Sequence, residues 1–180
     1  ALEMLRQGGS AVDAAIAAEL VLGLVEPQSS GLGGGGFLLF YDAASERISG
    51  YDGRERAPAA ATPDMFLDAS GQPIDFYDAQ ASGRSIGTPL LTPMLKLAHE
   101  SHGRLEWGRL FEPAIRLAED GFAISPMVAA YLRLDAHQMR LRDDPAARAY
   151  FFDPQGRPWP AGHVLRNPAY AATLRAIATQ

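Results

Sequence analysis

The sequence contains no cysteine, which excludes disulfides, thiolate metal sites and a cysteine nucleophile. Lysine is almost as scarce. Lys96 is the single one, and the other 15 basic residues are arginine. A phosphate-binding P-loop, which needs its own lysine, is therefore excluded, and any Schiff-base role falls on Lys96 alone. No apolar run approaches the ~20 residues that a membrane-spanning helix requires. Positive charge is in deficit: 16 basic against 21 acidic side chains leave a net charge of −5, without the surplus of Lys and Arg that a nucleic-acid surface needs. Ala1 opens onto an amphipathic segment with no basic n-region or apolar h-region, so no leader is visible and the compartment stays open.

What is present is a globular composition, with 47% hydrophobic and 21% charged residues in 180. Ala1–Gln7 reads as the end of a helix, with Leu2 and Leu5 on one face and Gly8-Gly9 stopping it. Ser10 and Asp13 form an S-x-x-[DE] capping box for a second, almost wholly apolar helix from Ala11 to Leu24, ended by Pro27. The unbroken apolar run Phe37–Tyr41 predicts a strand covered on both faces. Asp42–Glu46 turns it back into a partner strand over Arg47–Asp52. Residues 57–88, with Pro58, Pro63, Gly71, Pro73, Gly83 and Gly87, predict a long irregular excursion. Helices are expected over Leu90–His102, Trp107–Asp120, Pro126 to about Leu141 behind Ser125, and Asn167–Ala178 with Asn167 as cap and Pro168 first. One hairpin and several helices make too few strands to close a sheet, and the chain stops within a helix at Gln180, so it is expected to be a fragment.

Three motifs need weighing. Gly31-Leu32-Gly33-Gly34-Gly35-Gly36 satisfies G-x-G-x-x-G, but it follows a helix and opens a strand, the reverse of a dinucleotide site. The glycines fit better as a tight backbone path beside another segment. His99-Glu100-Ser101-His102 is one residue short of the H-E-x-x-H zinc spacing, and two histidines in a last helical turn also suit the helix dipole. No metal site and no cofactor are expected. His137 and His163 have no obvious partners, and no G-x-S-x-G serine is present. Arg54, just past a buried strand, can clamp a carboxylate with two parallel hydrogen bonds, although an ion pair with Asp52 or Glu55 is the simpler reading of its spacing.

Taken together, the blocks Gly8-Gly9-Ser10-Ala11-Val12-Asp13-Ala14-Ala15 and Val25-Glu26-Pro27-Gln28-Ser29-Ser30-Gly31 through Phe37 resemble the large-subunit signature of the γ-glutamyltranspeptidases. Asp52-Gly53-Arg54-Glu55-Arg56-Ala57-Pro58 is similar to the family's D-x-R-E-x-A-P segment, and the stretches 114–122 and 167–178 match as well. The resemblance covers nearly the whole chain. It implies an α+β fold, the four-layer αββα sandwich of the N-terminal-nucleophile hydrolases, made as a precursor that cuts itself in two. Residues 1–180 are then one incomplete domain, part of the large subunit. The partner is a small subunit whose N-terminal threonine is nucleophile and, through its amine, base. The implied substrate is a small γ-glutamyl amide such as glutathione, and the acyl group passes to water or an amine. The resemblance also implies that Arg54 holds the substrate α-carboxylate, with Ser29, Ser30 and Glu55 in support. It suggests a periplasmic or extracellular setting.

The departures shape the expectation. The family's threonine block, oxyanion glycines and amine-gripping residues are absent, and so is the first strand that should precede Ala1. None of Thr62, Thr88, Thr92, Thr173 or Thr179 lies in an autoprocessing context, so no catalytic residue is expected in this chain and the 180 residues alone should be inactive. Leu90 stands where the family usually has glycine after proline. Two rivals remain: a cephalosporin or glutaryl acylase of the same fold, and a non-catalytic protein that grips a carboxylate through Arg54.

Overall fold

A computed structural model describes residues 1–135 and 141–180. They form two compact units. The first comprises Ala1–Arg56, Pro89–Phe122 and Val164–Gln180, and the second Ala57–Thr88 and Ala123–His163.

The first unit is a helical layer backing a β-hairpin. Its helices are α1 (Leu2–Arg6), α2 (Ala11–Val25), α4 (Leu91–His102), α5 (Glu112–Asp120) and α8 (Pro168–Ala178). The capping box at the start of α2 is formed in both directions, Ser10 Oγ accepting from the Asp13 N–H and Asp13 from the Ser10 N–H. Asp13 does more than cap. It is fully buried, and its Oδ2 also accepts the Arg104 and Leu105 N–H groups at 2.9 and 3.2 Å. His99 Nε2 lies 3.6 Å from Asp13 Oδ1 while bonded to the Leu105 carbonyl at 2.8 Å. One carboxylate therefore ties the start of α2 to the loop that ends α4. Burial pushes this carboxyl up, but the backbone donors of Ser10, Arg104 and Leu105 together outweigh it, leaving Asp13 below the usual carboxylate range.

The apolar content of α2 follows from its central place. Ile16, Ala17 and Leu20 pack with Met4 of α1, Ala98 of α4, Leu110, Phe111 and Leu174 of α8 into one core. Alanine at 17, 98 and 114 lets these helices approach closely. The expected helix 107–120 is instead a 3-10 turn, Trp107–Phe111, followed by α5. Pro113 has no N–H to donate into the preceding turn, so α-helical bonding cannot run through it. At the far end Gly121 has φ of 107°, and a Cβ there would meet Val164 Cγ1 at 2.7 Å, so glycine is required both for the turn and for the approach. The last helix is capped as expected, Asn167 Oδ1 accepting from the Tyr170 N–H at 2.9 Å.

The hairpin pairs β1 (Phe37–Asp42) with β2 (Arg47–Asp52) antiparallel, Phe37 opposite Asp52 and Asp42 opposite Arg47. Leu38, Phe40 and Tyr51 face the helices, and the His102 ring stacks on Phe40 at 4.0 Å. The expectation of a strand covered on both faces is corrected here. Phe37, Leu39, Tyr41 and Ile48 point the other way and are 58–80% exposed. A continuous apolar run reflects two apolar faces, whether or not both are covered within the chain. A helix layer against a β layer is what half of an αββα sandwich contributes, and the α+β class read from the sequence holds.

The second unit contains α3 (Phe76–Ala81), α6 (Pro126–Asp135) and α7 (Pro145–Phe151). The segment 57–88 is not irregular throughout, because Asp75 accepts from the Tyr77 and Asp78 N–H groups to start α3, and a 3-10 turn follows at Gly83–Ser85. Six residues are too few to show a helical period. Ser125 caps α6 by accepting from Val128 at 3.1 Å. The further extension expected for this helix over 136–140, and His137 with it, lies outside the described residues. Two-residue strands, β3 (Phe122–Ala123) and β4 (Val164–Leu165), complete the elements. Among the described residues no helix is long and apolar enough to cross a membrane.

Candidate functional site

The glycine loop after α2 is held by backbone contacts that side chains would obstruct. Gly36 and Gly53 exchange two hydrogen bonds, at 3.1 and 2.9 Å, extending the hairpin by one pair. The Gly34 carbonyl accepts from both Leu90 and Leu91 N–H at 3.3 Å, pinning the loop to the first turn of α4. Leu90 has φ of −127°, which any residue adopts, so leucine at this turn introduces no backbone strain.

Gly35 is where the loop meets the segment carrying Arg54. A Cβ on residue 35 would lie 2.5 Å from both the Glu55 nitrogen and the Gly53 carbonyl oxygen, and would collide with the Glu55 carboxylate. Two of these atoms are backbone and cannot rotate away. Gly35→Ala in the full-length protein is therefore expected to lower stability by about 2 kcal/mol, in the range of overpacking substitutions. Urea unfolding would show a lower midpoint at unchanged slope, and a wild-type midpoint would mean that the loop is not seated against this segment.

The loop, the start of β1, α2 and α4 enclose an open groove of about 750 Å³. Ser29, Ser30 and Glu55 line it, so three of the four residues singled out from the sequence are brought together. Both serines donate their N–H to the Glu26 carbonyl in the turn after α2, and their hydroxyls have no hydrogen-bond partner among the described residues. Arg54 is not part of the lining. It sits one residue before Glu55, exposed, with its N–H donated to Asp52 Oδ1 at 3.0 Å. The ion pair to Asp52 or Glu55 that spacing suggests is not formed, and among the described residues the guanidinium makes no hydrogen bond or ion pair. Asp52 instead fixes the backbone from which Arg54 projects.

Sequence reasoning missed Glu19. It stands one turn after Ala15 on the groove-facing side of α2, half-buried, and burial raises its carboxyl above the ordinary range. Its charge and the burial of Tyr170, burial being the larger cause, push that phenol up to about 12. Tyr170 stays protonated and donates to the Leu20 carbonyl at 3.0 Å. The signal was the single acid beyond the first turn of an otherwise apolar helix. The two histidines of 99–102 are drawn to different elements, His99 to Leu105 and Asp13, His102 to Phe40, and they do not converge on one point. His163 does have a partner, since its ring lies flat on Trp159 with centroids 3.8 Å apart.

Against known proteins, the chain is 45% identical over 151 residues to Scoloptoxin SSD14 of Scolopendra dehaani, covering 84% of this chain and 25% of that protein. It is 38% identical over 175 residues to the glutathione hydrolase proenzyme of Bacillus subtilis, covering 97% of this chain and 29% of the relative. The chain thus spans between a quarter and a third of the length of these relatives. Among solved structures, that of Helicobacter pylori gamma-glutamyltranspeptidase superposes with a TM-score of 0.90 at 30% identity, over 99% of this chain and 50% of that one. The family model for gamma-glutamyltranspeptidase matches residues 1–180. With a glycine loop, hairpin and Arg54 segment arranged as described, the chain belongs to the gamma-glutamyltranspeptidase family.

Proposed function

We propose that this chain supplies part of the large subunit of an enzyme that cleaves γ-glutamyl amides, glutathione among them, and passes the acyl group to water or an amine. The observation that carries the reading is Arg54, whose unpaired guanidinium projects from a backbone anchored by Asp52, beside the glycine loop. A planar fork with no partner among the described residues is suited to a substrate α-carboxylate, which it takes through two parallel charge-assisted bonds. Glu19 and Glu55 make the groove itself acidic, so a substrate carboxylate is favoured at Arg54 on the rim rather than within it. Ser29 and Ser30 offer neutral hydroxyls along the wall.

The bond-breaking groups lie in a partner small subunit. Its N-terminal threonine Oγ attacks the amide carbonyl, forming an ester while the C–N bond breaks. The threonine's own amine carries the proton from Oγ to the departing nitrogen. Water or an acceptor amine then attacks the ester and regenerates the threonine. Residues 1–180 act as one incomplete domain in this reading. The exposed outer face of the hairpin supports it, since an apolar β-face of this kind needs a second sheet supplied by the rest of the protein.

The test is a comparison of γ-glutamyl and glutaryl anilides on the full-length protein. These donors share the carboxylate that Arg54 holds and differ in the α-amine. Turnover of the γ-glutamyl compound at least about tenfold better, a difference of some 1.4 kcal/mol, is expected. Equal or better glutaryl turnover would transfer the assignment to an acylase.

A further inference from the structure

The second unit holds a concavity of its own, of about 480 Å³, formed between residues 142 and 159. Here α7 and the bridge between Phe152 and Pro158 fold the chain back on itself. Phe152 is buried, and the Arg142 guanidinium carbon stands 5.3 Å from the centre of its ring. The Nε of Arg142 is buried and has no hydrogen-bond partner among the described residues. Arg148, on α7, lines the same space from an exposed position, and its guanidinium makes no hydrogen bond or ion pair among the described residues. Trp159 forms a further wall, its orientation fixed by the His163 ring stacked on it.

Asp153, at the rim, does not neutralise these two cations, because it is taken up by the Arg157 side chain at 2.7 Å and by the Gln155 and Arg157 N–H groups. A guanidinium whose buried N–H is unmatched is costly to keep without an anion. Stacked on an aromatic ring, it still presents its edge for in-plane hydrogen bonds. The space far exceeds what a small inorganic ion fills, and most of its other walls are proline, alanine and aromatic carbon.

We infer that this pocket binds a small organic carboxylate with an apolar or aromatic body, its charge shared by Arg142 and Arg148 and its body against Trp159. The inference does not depend on the γ-glutamyl reading, because no residue is common to the two.

The experiment is titration calorimetry of 3-phenylpropionate into the full-length protein. A dissociation constant of about 0.1–1 mM is expected for a ligand of this size. Arg148→Gln, at an exposed position, should weaken binding about tenfold or more at an unchanged melting temperature, and Arg142→Gln should weaken it as well. Arg54→Ala should leave it untouched. The uncharged 3-phenylpropanol should not bind. Absence of saturable binding, equal binding by R148Q, loss of binding in R54A, or equal affinity for inorganic phosphate would each overturn the assignment.

Discussion

Replacing Arg54 with alanine in the full-length protein is expected to lower kcat/KM for a γ-glutamyl anilide by about 10²–10³-fold. A hydrogen bond to a charged group contributes roughly 1.5–3 kcal/mol, and two made by one fork lose about 3–4 kcal/mol when removed together. The effect should fall mainly on KM, because a carboxylate remote from the scissile bond is held alike in ground and transition states. Little change in folding is expected, since the guanidinium is exposed and has no described partner to lose. Arg54→Lys keeps the charge without the fork and should recover only part of the loss, leaving a deficit of about tenfold. Arg56→Ala, two residues on, serves as the control for general loss of positive charge. An unchanged KM in the alanine variant would show that the α-carboxylate is held elsewhere.

The second large effect is on stability. Asp13→Ala leaves the N–H groups of Ser10, Arg104 and Leu105 without their acceptor where a fully buried carboxylate stood. At 1–3 kcal/mol for each buried donor left unmatched, with partial relaxation, a loss of about 3–5 kcal/mol is expected in urea unfolding at pH 7. The pH dependence has a definite sign. The folded-state carboxyl lies below its ordinary value, so the stabilisation is fully present above the unfolded pKa, near 4, and is lost as pH falls through the folded value. Asp13→Asn should therefore lower stability at pH 7 and flatten the acid limb of the stability curve. An acid limb as steep as that of the wild type would show that Asp13 is not held in its charged form.

These two residues also mark how far the sequence can be read. The Ser10–Asp13 capping box was legible because both partners lie within one turn. The additional donors of Asp13 come from residues 104 and 105 and leave no local trace. The hairpin, the break at Pro27 and the Asn167-Pro168 start rest on local chemistry, and all formed as read. The run Phe37–Tyr41 was read correctly as a strand and incorrectly as doubly covered, since apolarity records what a face requires and not which chain supplies it. The helix at 76–81 and the 3-10 turn at 107–111 were hidden because short elements are set by single caps and by one proline. At the candidate site, Arg54, Ser29, Ser30 and Glu55 were visible as sequence positions. That the last three share a groove which Arg54 borders depends on the approach of the 53–55 segment to Gly35, some 20 residues away in sequence. Glu19 was overlooked because an acid in the middle of an apolar helix reads as a surface position until the groove beside it is known.

The central claim is that residues 1–180 belong to the large part of a precursor that cuts itself and acts through a new N-terminal threonine. Intact mass combined with N-terminal sequencing of the product of the full gene tests this most directly. Two chains are expected, the first containing the residues described here and the second beginning with threonine. A single uncut chain, or a second chain beginning with another residue, would contradict the claim.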